Sequence, residues 1–84
     1  MERQQIRAAL ADILSIVQDG KSVSPESIGD DVAIREGLGL DSLQMTEVMF
    51  EIEEKLNAKI EDAEAMELAT VGDLIDLIAK KTAG

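Results

Sequence analysis

A chain of 84 residues has room for one domain around a single hydrophobic core, so we expect residues 1–84 to form one domain. The sequence has neither Cys nor His, which excludes disulfides, thiolate nucleophiles and the commonest general base and metal ligand. The net charge of −10 argues against nucleic acid and anionic membranes as partners and favours basic proteins. Because neither a signal-peptide pattern nor a membrane-spanning apolar stretch is present, we expect a cytoplasmic protein.

The apolar residues are almost all aliphatic, with Phe50 the only aromatic, and this composition favours helices packed on helices. Apolar residues at helical spacing predict a first helix from about Glu2 to Gln18, ended by Asp19-Gly20. No period holds from Lys21 to Leu40, which predicts a long ordered loop with a short helical turn near residues 25–28. We expect four apolar side chains to pin this loop to the core: Val23, Ile28, Ile34 and Leu38.

A second helix is predicted from Asp41-Ser42 to about Leu56. Asp41 is a good amino-terminal cap, and Gln44 follows at the spacing of a capping box. Stepping 100° per residue places five apolar side chains on one stripe, which we predict to face the core: Met45, Val48, Met49, Ile52 and Leu56.

Two large apolar side chains, Leu43 and Phe50, fall on the opposite side of this helix among acidic residues. Scattered surface apolar residues are normal, and Leu43 has the alternative of packing under the loop. We favour a docking face for a basic partner, with an apolar centre that supplies buried area and carboxylates that steer association. This docking face comprises Leu43, Glu47, Phe50, Glu51 and Glu54. Glu51 is also expected to pair with Lys55, four residues on.

The remaining residues predict a short helix from Glu61-Asp62 to about Glu67. A last helix follows, capped by Thr70 with Asp73 and ending near Lys81. The predicted fold class is therefore all-α. It is a small four-helix bundle with three longer helices, one short helix and a long loop between helices one and two.

Asp41-Ser42 before a helix is by itself an ordinary cap, but its surroundings are distinctive. The run Leu38-Gly39-Leu40-Asp41-Ser42-Leu43 precedes an acidic amphipathic helix, and Ala69-Thr70-Val71 opens the last helix. Over residues 38–79 this pattern resembles the acyl carrier protein family. The resemblance implies that Ser42, flanked in the motif by Asp41 and Leu43, bears a covalent 4'-phosphopantetheine derived from coenzyme A.

The resemblance also implies a non-enzymatic, monomeric carrier of acyl thioesters. Its expected partners are a phosphopantetheinyl transferase and acyl-transferring, ketosynthase-type and other biosynthetic enzymes with basic docking patches. An acyl chain is expected to enter between the helices near Met45 and Met49. Glu61 stands where the family pattern has Pro, and Gln44 stands where an acid is common. The pathway therefore stays open between fatty acid, polyketide and specialised lipid biosynthesis.

Other functions fit the sequence less well. A serine-based enzyme is disfavoured because the chain lacks His and Cys, and a calcium sensor because the 12-residue ligand loop is absent. An unmodified helical interaction module and an aminoacyl or peptidyl carrier remain as alternatives. Leu40-Asp41 before the serine favours the acyl branch of carrier proteins.

Overall fold

The computed structural model describes residues 2–19 and 22–83 of the chain. It contains five α-helices and a 3-10 turn at Pro25–Ser27. The helices are α1 (Arg3–Val17), α2 (Ile34–Leu38), α3 (Ser42–Leu56), α4 (Asp62–Glu67) and α5 (Val71–Thr82). The described residues form no strand, and their one isolated β-bridge joins Ala33 to Thr70.

The all-α prediction is confirmed, and the bounds of the four predicted helices hold to within about one residue. The predicted helical turn after Pro25 is also present, as the 3-10 turn. The addition is α2, a five-residue helix inside the segment predicted to be a loop. The predicted ending of α1 at Gly20 lies outside the described residues. Within them, α1 closes at Gln18, whose amide donates to the carbonyl of Leu14 at 2.9 Å.

The core is aliphatic and is formed by α1 packing against both α3 and α5. Side chains from these three helices are withdrawn completely from solvent, as the predicted stripes require. The large side chains of the three helices that are fully buried are Ile6, Leu10, Ile13, Val48, Ile52, Val71, Ile75 and Ile78. Val48, Ile52 and Leu56 confirm the predicted inner stripe of α3, whereas Met45 and Met49 are only partly buried.

The long connection between α1 and α3 is tied to the start of α5 by backbone hydrogen bonds. Ile34 donates to Ala69 at 3.0 Å, and Val71 donates to Val32 at 2.9 Å. Gly72 donates to the carbonyl of Asp30 at 2.9 Å. Buried Ile28 and Ile34 and partly buried Val23 and Leu38 confirm the predicted apolar anchors. The connection is therefore held in place, and it delivers α2 to the amino terminus of α3.

Asp30 adds an ionic anchor between this connection and α1. Arg3 donates to its carboxylate at 2.7 Å, Arg7 forms a second ion pair with it, and Arg3 also pairs with Asp76 on α5. The hydrogen bond from Arg7, followed by that from Arg3, lowers the pKa of Asp30 below its ordinary value. The ionised carboxylate thus joins the connection to α1, and Arg3 extends the ionic contact to α5 through Asp76.

Candidate functional site

The backbone immediately before α3 is shaped by Gly39. This residue ends α2 in the left-handed conformation, with φ of 66°, which glycine adopts without the steric cost of a Cβ. The following side chain, Leu40, is buried in the core, so that Asp41 and Ser42 come out on the surface. The turn thereby presents the motif serine at the start of a helix.

Asp41 and Gln44 form the predicted capping box. The carboxylate of Asp41 accepts the Gln44 amide at 2.7 Å, and the Gln44 side-chain oxygen accepts the Asp41 amide at 3.2 Å. Gln44, an unusual residue for this place in the family pattern, therefore has a structural role at the helix start.

Ser42 is the first residue of α3 and is exposed. Its carbonyl accepts the Thr46 hydroxyl at 3.1 Å, whereas its own hydroxyl forms no hydrogen bond with any residue in the described ranges. The first amides of a helix have no partner within the helix, and here the side chain of Asp41 accepts only the amide of Gln44. An anion esterified to Ser42 would therefore find free donors and the positive end of the helix dipole.

An open cleft of about 580 Å³ lies beside Ser42, between α2, α3 and α4. Its charged lining residues are Arg35, Asp41 and Asp62. Its apolar lining includes Met66 of α4, which is 76% exposed. The cleft is wide enough for a polar arm attached at the serine and has an apolar wall along which such an arm can lie.

A second, nearly closed cavity of about 10 Å³ lies within the core and is apolar throughout. At this volume it has room for at most one water molecule. Leu40, Met45 and Met49 line both this cavity and the open cleft. These three side chains therefore form the partition between the surface beside Ser42 and the interior of the bundle.

The predicted docking face is exposed as its pattern requires. Leu43 is 68% exposed and Phe50 is 58% exposed, so the alternative that Leu43 packs under the loop is wrong. Packing under a loop would remove the side chain from solvent. Glu51 also makes its predicted pair with Lys55, at 3.7 Å. The exposure of the two apolar residues leaves a patch that the fold itself does not bury.

The structure adds a residue to this surface that sequence reasoning missed. Ile16 of α1 is 57% exposed and shares a shallow groove with Phe50, Glu47 and Glu51. The exposure of Ile16 could have been predicted, because its position lies off the buried stripe of α1. Its place beside α3 could not, because it depends on how the two helices pack. Arg35 and Met66 were missed for the same reason.

The second departure from the family pattern, Glu61, also has a local cause. Its φ of −74° is compatible with proline. However, its amide donates to the side-chain oxygen of Glu64 at 3.0 Å, a bond that proline cannot make. Glu61 and Glu64 thus form a capping box for α4, and Glu64 also pairs with Lys81 of α5 at 2.9 Å.

Two further properties concern the described residues as a group. No helix in residues 2–19 and 22–83 combines the length and apolarity of a membrane span. Across the same ranges, no three or more acidic side chains converge into a group able to hold a metal ion.

The chain is similar to known carrier proteins in sequence and structure. The family model for the phosphopantetheine attachment site matches residues 4–78. The acyl carrier protein of Wolinella succinogenes is 39% identical over 71 residues, which are 84% of this chain and 93% of that protein. That of Thermosynechococcus vestitus is 38% identical over 74 residues, 88% and 91% of the two chains. The solved structure of the acyl carrier protein from Enterococcus faecalis superimposes with a TM-score of 0.69, at 25% identity, covering 96% of this chain and 99% of its own. The chain therefore belongs to the acyl carrier protein family, and its prosthetic group is a covalently attached 4'-phosphopantetheine.

Proposed function

We propose that Ser42 is the attachment site and that the protein carries acyl intermediates for fatty acid, polyketide or specialised lipid biosynthesis. The observation that supports this most strongly is the exposed Ser42 hydroxyl, which opens α3 without a hydrogen-bond partner among the described residues. It lies inside the segment that matches the attachment-site family. When bound, the prosthetic group supplies the thiol on which acyl groups are held as thioesters.

In the attachment step, Ser42 Oγ attacks the phosphorus next to the pantetheine in coenzyme A. A new P–O bond forms to the serine, and the P–O bond of the pyrophosphate breaks. Adenosine 3',5'-bisphosphate leaves, and the hydroxyl proton passes to a base of the transferase. The carrier contributes an accessible hydroxyl, while Mg²⁺ and the base belong to the transferase.

The start of α3 suits the product of this step. The phosphodiester carries a negative charge, which a helix amino terminus favours by roughly 0.3–1 kcal/mol at an exposed site. Asp41 contributes by capping, because its carboxylate is engaged by the Gln44 amide at 2.7 Å and keeps the helix start ordered. Leu43, the next residue, points its exposed side chain into the docking face.

The partition formed by Leu40, Met45 and Met49 supports a route for an acyl chain into the core. The cavity behind it holds only about 10 Å³, so an acyl chain would have to displace these side chains. Methionine has three rotatable bonds and adapts its shape at low cost. Within this proposal, the two methionines open the partition when a long acyl chain is carried.

The docking face supports binding to basic partner enzymes, including the transferase. Its exposed apolar centre provides buried area, and its carboxylates provide steering towards positive patches. We expect Phe50→Glu and Glu47→Lys each to weaken transferase binding at least tenfold while leaving the helix content unchanged. Glu26→Lys makes the same charge change as Glu47→Lys but in the 3-10 turn, so it serves as the control.

Binding is measured by titration calorimetry at fixed ionic strength, with circular dichroism as the check on folding. If both docking-face variants bind as well as the Glu26→Lys control, the docking face has no part in transferase recognition. If all three variants weaken binding equally, the effect belongs to net charge and not to this face.

The carrier role is tested by incubation with coenzyme A and a broad-specificity phosphopantetheinyl transferase. We expect the intact mass of the wild type and of Ser22→Ala to increase by one phosphopantetheine, and that of Ser42→Ala to stay unchanged. Ser22 is an exposed serine outside the helices and controls for the loss of a hydroxyl. An unchanged wild-type mass would leave the unmodified interaction module as the better account.

A further inference from the structure

We propose that Arg35 binds the phosphodiester of the prosthetic arm and so fixes the arm in the cleft beside Ser42. This inference rests on the proposed attachment at Ser42. Arg35 is exposed on α2, and it lines the same cleft as Ser42. Because the phosphodiester is bonded to Ser42 Oγ, its charge must lie at this end of the cleft.

Arg35 differs from most other basic residues because it forms no ion pair with any residue that the structure describes. In the described ranges, five basic side chains lie within 4.0 Å of a carboxylate: Arg3, Arg7, Lys55, Lys59 and Lys81. Arg35 and Lys80 form no such pair with the described residues. In a chain with 18 acidic residues, a cation that faces the attachment cleft without a fixed partner is available to an anion.

The charges around the cleft are mostly negative, and Arg35 can offset them. Asp41 and Asp62 line the cleft with it, so a phosphodiester at Ser42 adds a third negative charge to that lining. Among the described side chains that line the cleft, Arg35 is the only basic one. Its guanidinium matches phosphate oxygens with two parallel donors, and the free amides of α3 can share the same anion.

A carboxylate of the cargo is a less suitable ligand. It would lie at the thiol end of the arm, whose position varies, whereas the phosphodiester is fixed at Ser42. A contact between Arg35 and Asp62 across the cleft is the second competitor. If this contact forms, the side-chain Nε–Hε resonance of Arg35 shifts in Asp62→Asn and does not shift when the arm is attached.

The test uses wild-type, Arg35→Gln, Arg35→Lys and Lys80→Gln proteins, each prepared in apo and holo forms. Lys80→Gln is the matched control, since Lys80 is the other described cation without an ion pair and lies outside the cleft lining. We expect the ³¹P resonance of the holo protein to shift in Arg35→Gln and to coincide with the wild type in Lys80→Gln. Arg35→Lys keeps the charge without the planar fork and should give an intermediate position.

The second readout is the side-chain Nε–Hε resonance of Arg35, compared between apo and holo wild type and between apo wild type and apo Asp62→Asn. We expect it to shift on attachment, and the shift to shrink as salt is raised to 1 M, where the screening length falls to about 3 Å. Coincident ³¹P resonances in all four holo proteins would overturn the contact.

The outcomes also separate this inference from the proposed function. A wild type that gains no phosphopantetheine overturns both the attachment and the contact. Full attachment with an unchanged ³¹P resonance in Arg35→Gln overturns the contact alone. If Arg35→Gln slows loading but leaves the holo ³¹P resonance unchanged, Arg35 acts on the transferase and the contact with the arm is again excluded. If the Nε–Hε resonance of Arg35 shifts in Asp62→Asn but not on attachment of the arm, Arg35 contacts Asp62 and the contact with the arm is excluded.

Discussion

Replacing Gly72 with alanine tests how the long connection is held against α5. Gly72 is buried at the second position of α5, and its amide donates to the carbonyl of Asp30 at 2.9 Å. A Cβ built at this position would lie 2.9 Å from the carbonyl oxygen of Asp30 and 3.1 Å from its Cβ. Both approaches are closer than packed atoms normally make, so the backbone of Asp30 must move away.

Two opposing effects determine how much Gly72→Ala changes the free energy of unfolding. Helix propensity favours alanine over glycine by up to about 1 kcal/mol. Against this, overpacking typically costs about 1–3 kcal/mol, and weakening the hydrogen bond to Asp30 costs up to about 1 kcal/mol more. We therefore expect Gly72→Ala to lower the free energy of unfolding by about 1–3 kcal/mol.

The assay is urea unfolding followed by circular dichroism, with thermal unfolding as a second measure. At roughly 4–8 °C per kcal/mol for a domain of this size, the melting temperature should fall by at least about 4 °C. Gly29→Ala is the control, because its added Cβ would meet only the Asp31 carboxylate at an ordinary 3.4 Å. We expect that variant to stay within about 0.5 kcal/mol of the wild type.

A Gly72→Ala protein as stable as Gly29→Ala, or more stable than the wild type, would contradict this expectation. It would mean that the close approach of Asp30 to α5 does not contribute to the fold. Native-state hydrogen exchange gives an independent check. The amide of residue 72 should exchange slowly in the wild type and faster in Gly72→Ala, where the Asp30 carbonyl is displaced.

Two further substitutions test the cap and the ionic anchor. Asp41→Ala removes the acceptor of the Gln44 amide and should lower the free energy of unfolding in urea by about 1 kcal/mol. Asp41→Asn keeps a capping oxygen and should lower it much less. Equal losses in the two variants would show that the cap does not stabilise the protein. The pKa of Asp30 is lowered in the folded protein, so its stabilisation is present above its ordinary value of 3.8 and is lost as the pH falls through the lowered value. Over that acidic range the stability of the wild type should rise with pH more steeply than that of Asp30→Asn, and identical slopes would contradict the ionic anchor.

The sequence was sufficient to predict helices whose start signals are local. The capping boxes at Asp41 and Thr70 involve side chains only three residues apart, and both are present at α3 and α5. The outward exposure of Leu43 and Phe50 also followed from helical spacing alone. These features depend on interactions within one helix, which the sequence order determines directly.

The features that escaped prediction depend on contacts between distant segments. The helix α2 has only five residues, too few to show a period, and it forms in a segment hydrogen-bonded to the start of α5. Arg35 and Met66 reach the Ser42 cleft from separate elements, and Ile16 meets Phe50 only through the packing of α1 on α3. No local pattern carries that information.

Fragmentation of the loaded protein by tandem mass spectrometry identifies the modified residue. The chain contains other exposed serines, including Ser22, Ser24 and Ser27, so the measurement distinguishes Ser42 from other accessible hydroxyls. We predict that the phosphopantetheine mass is found on fragments that contain Ser42 and on no others. An arm located on another serine, or a wild-type chain that gains none, would contradict attachment at Ser42.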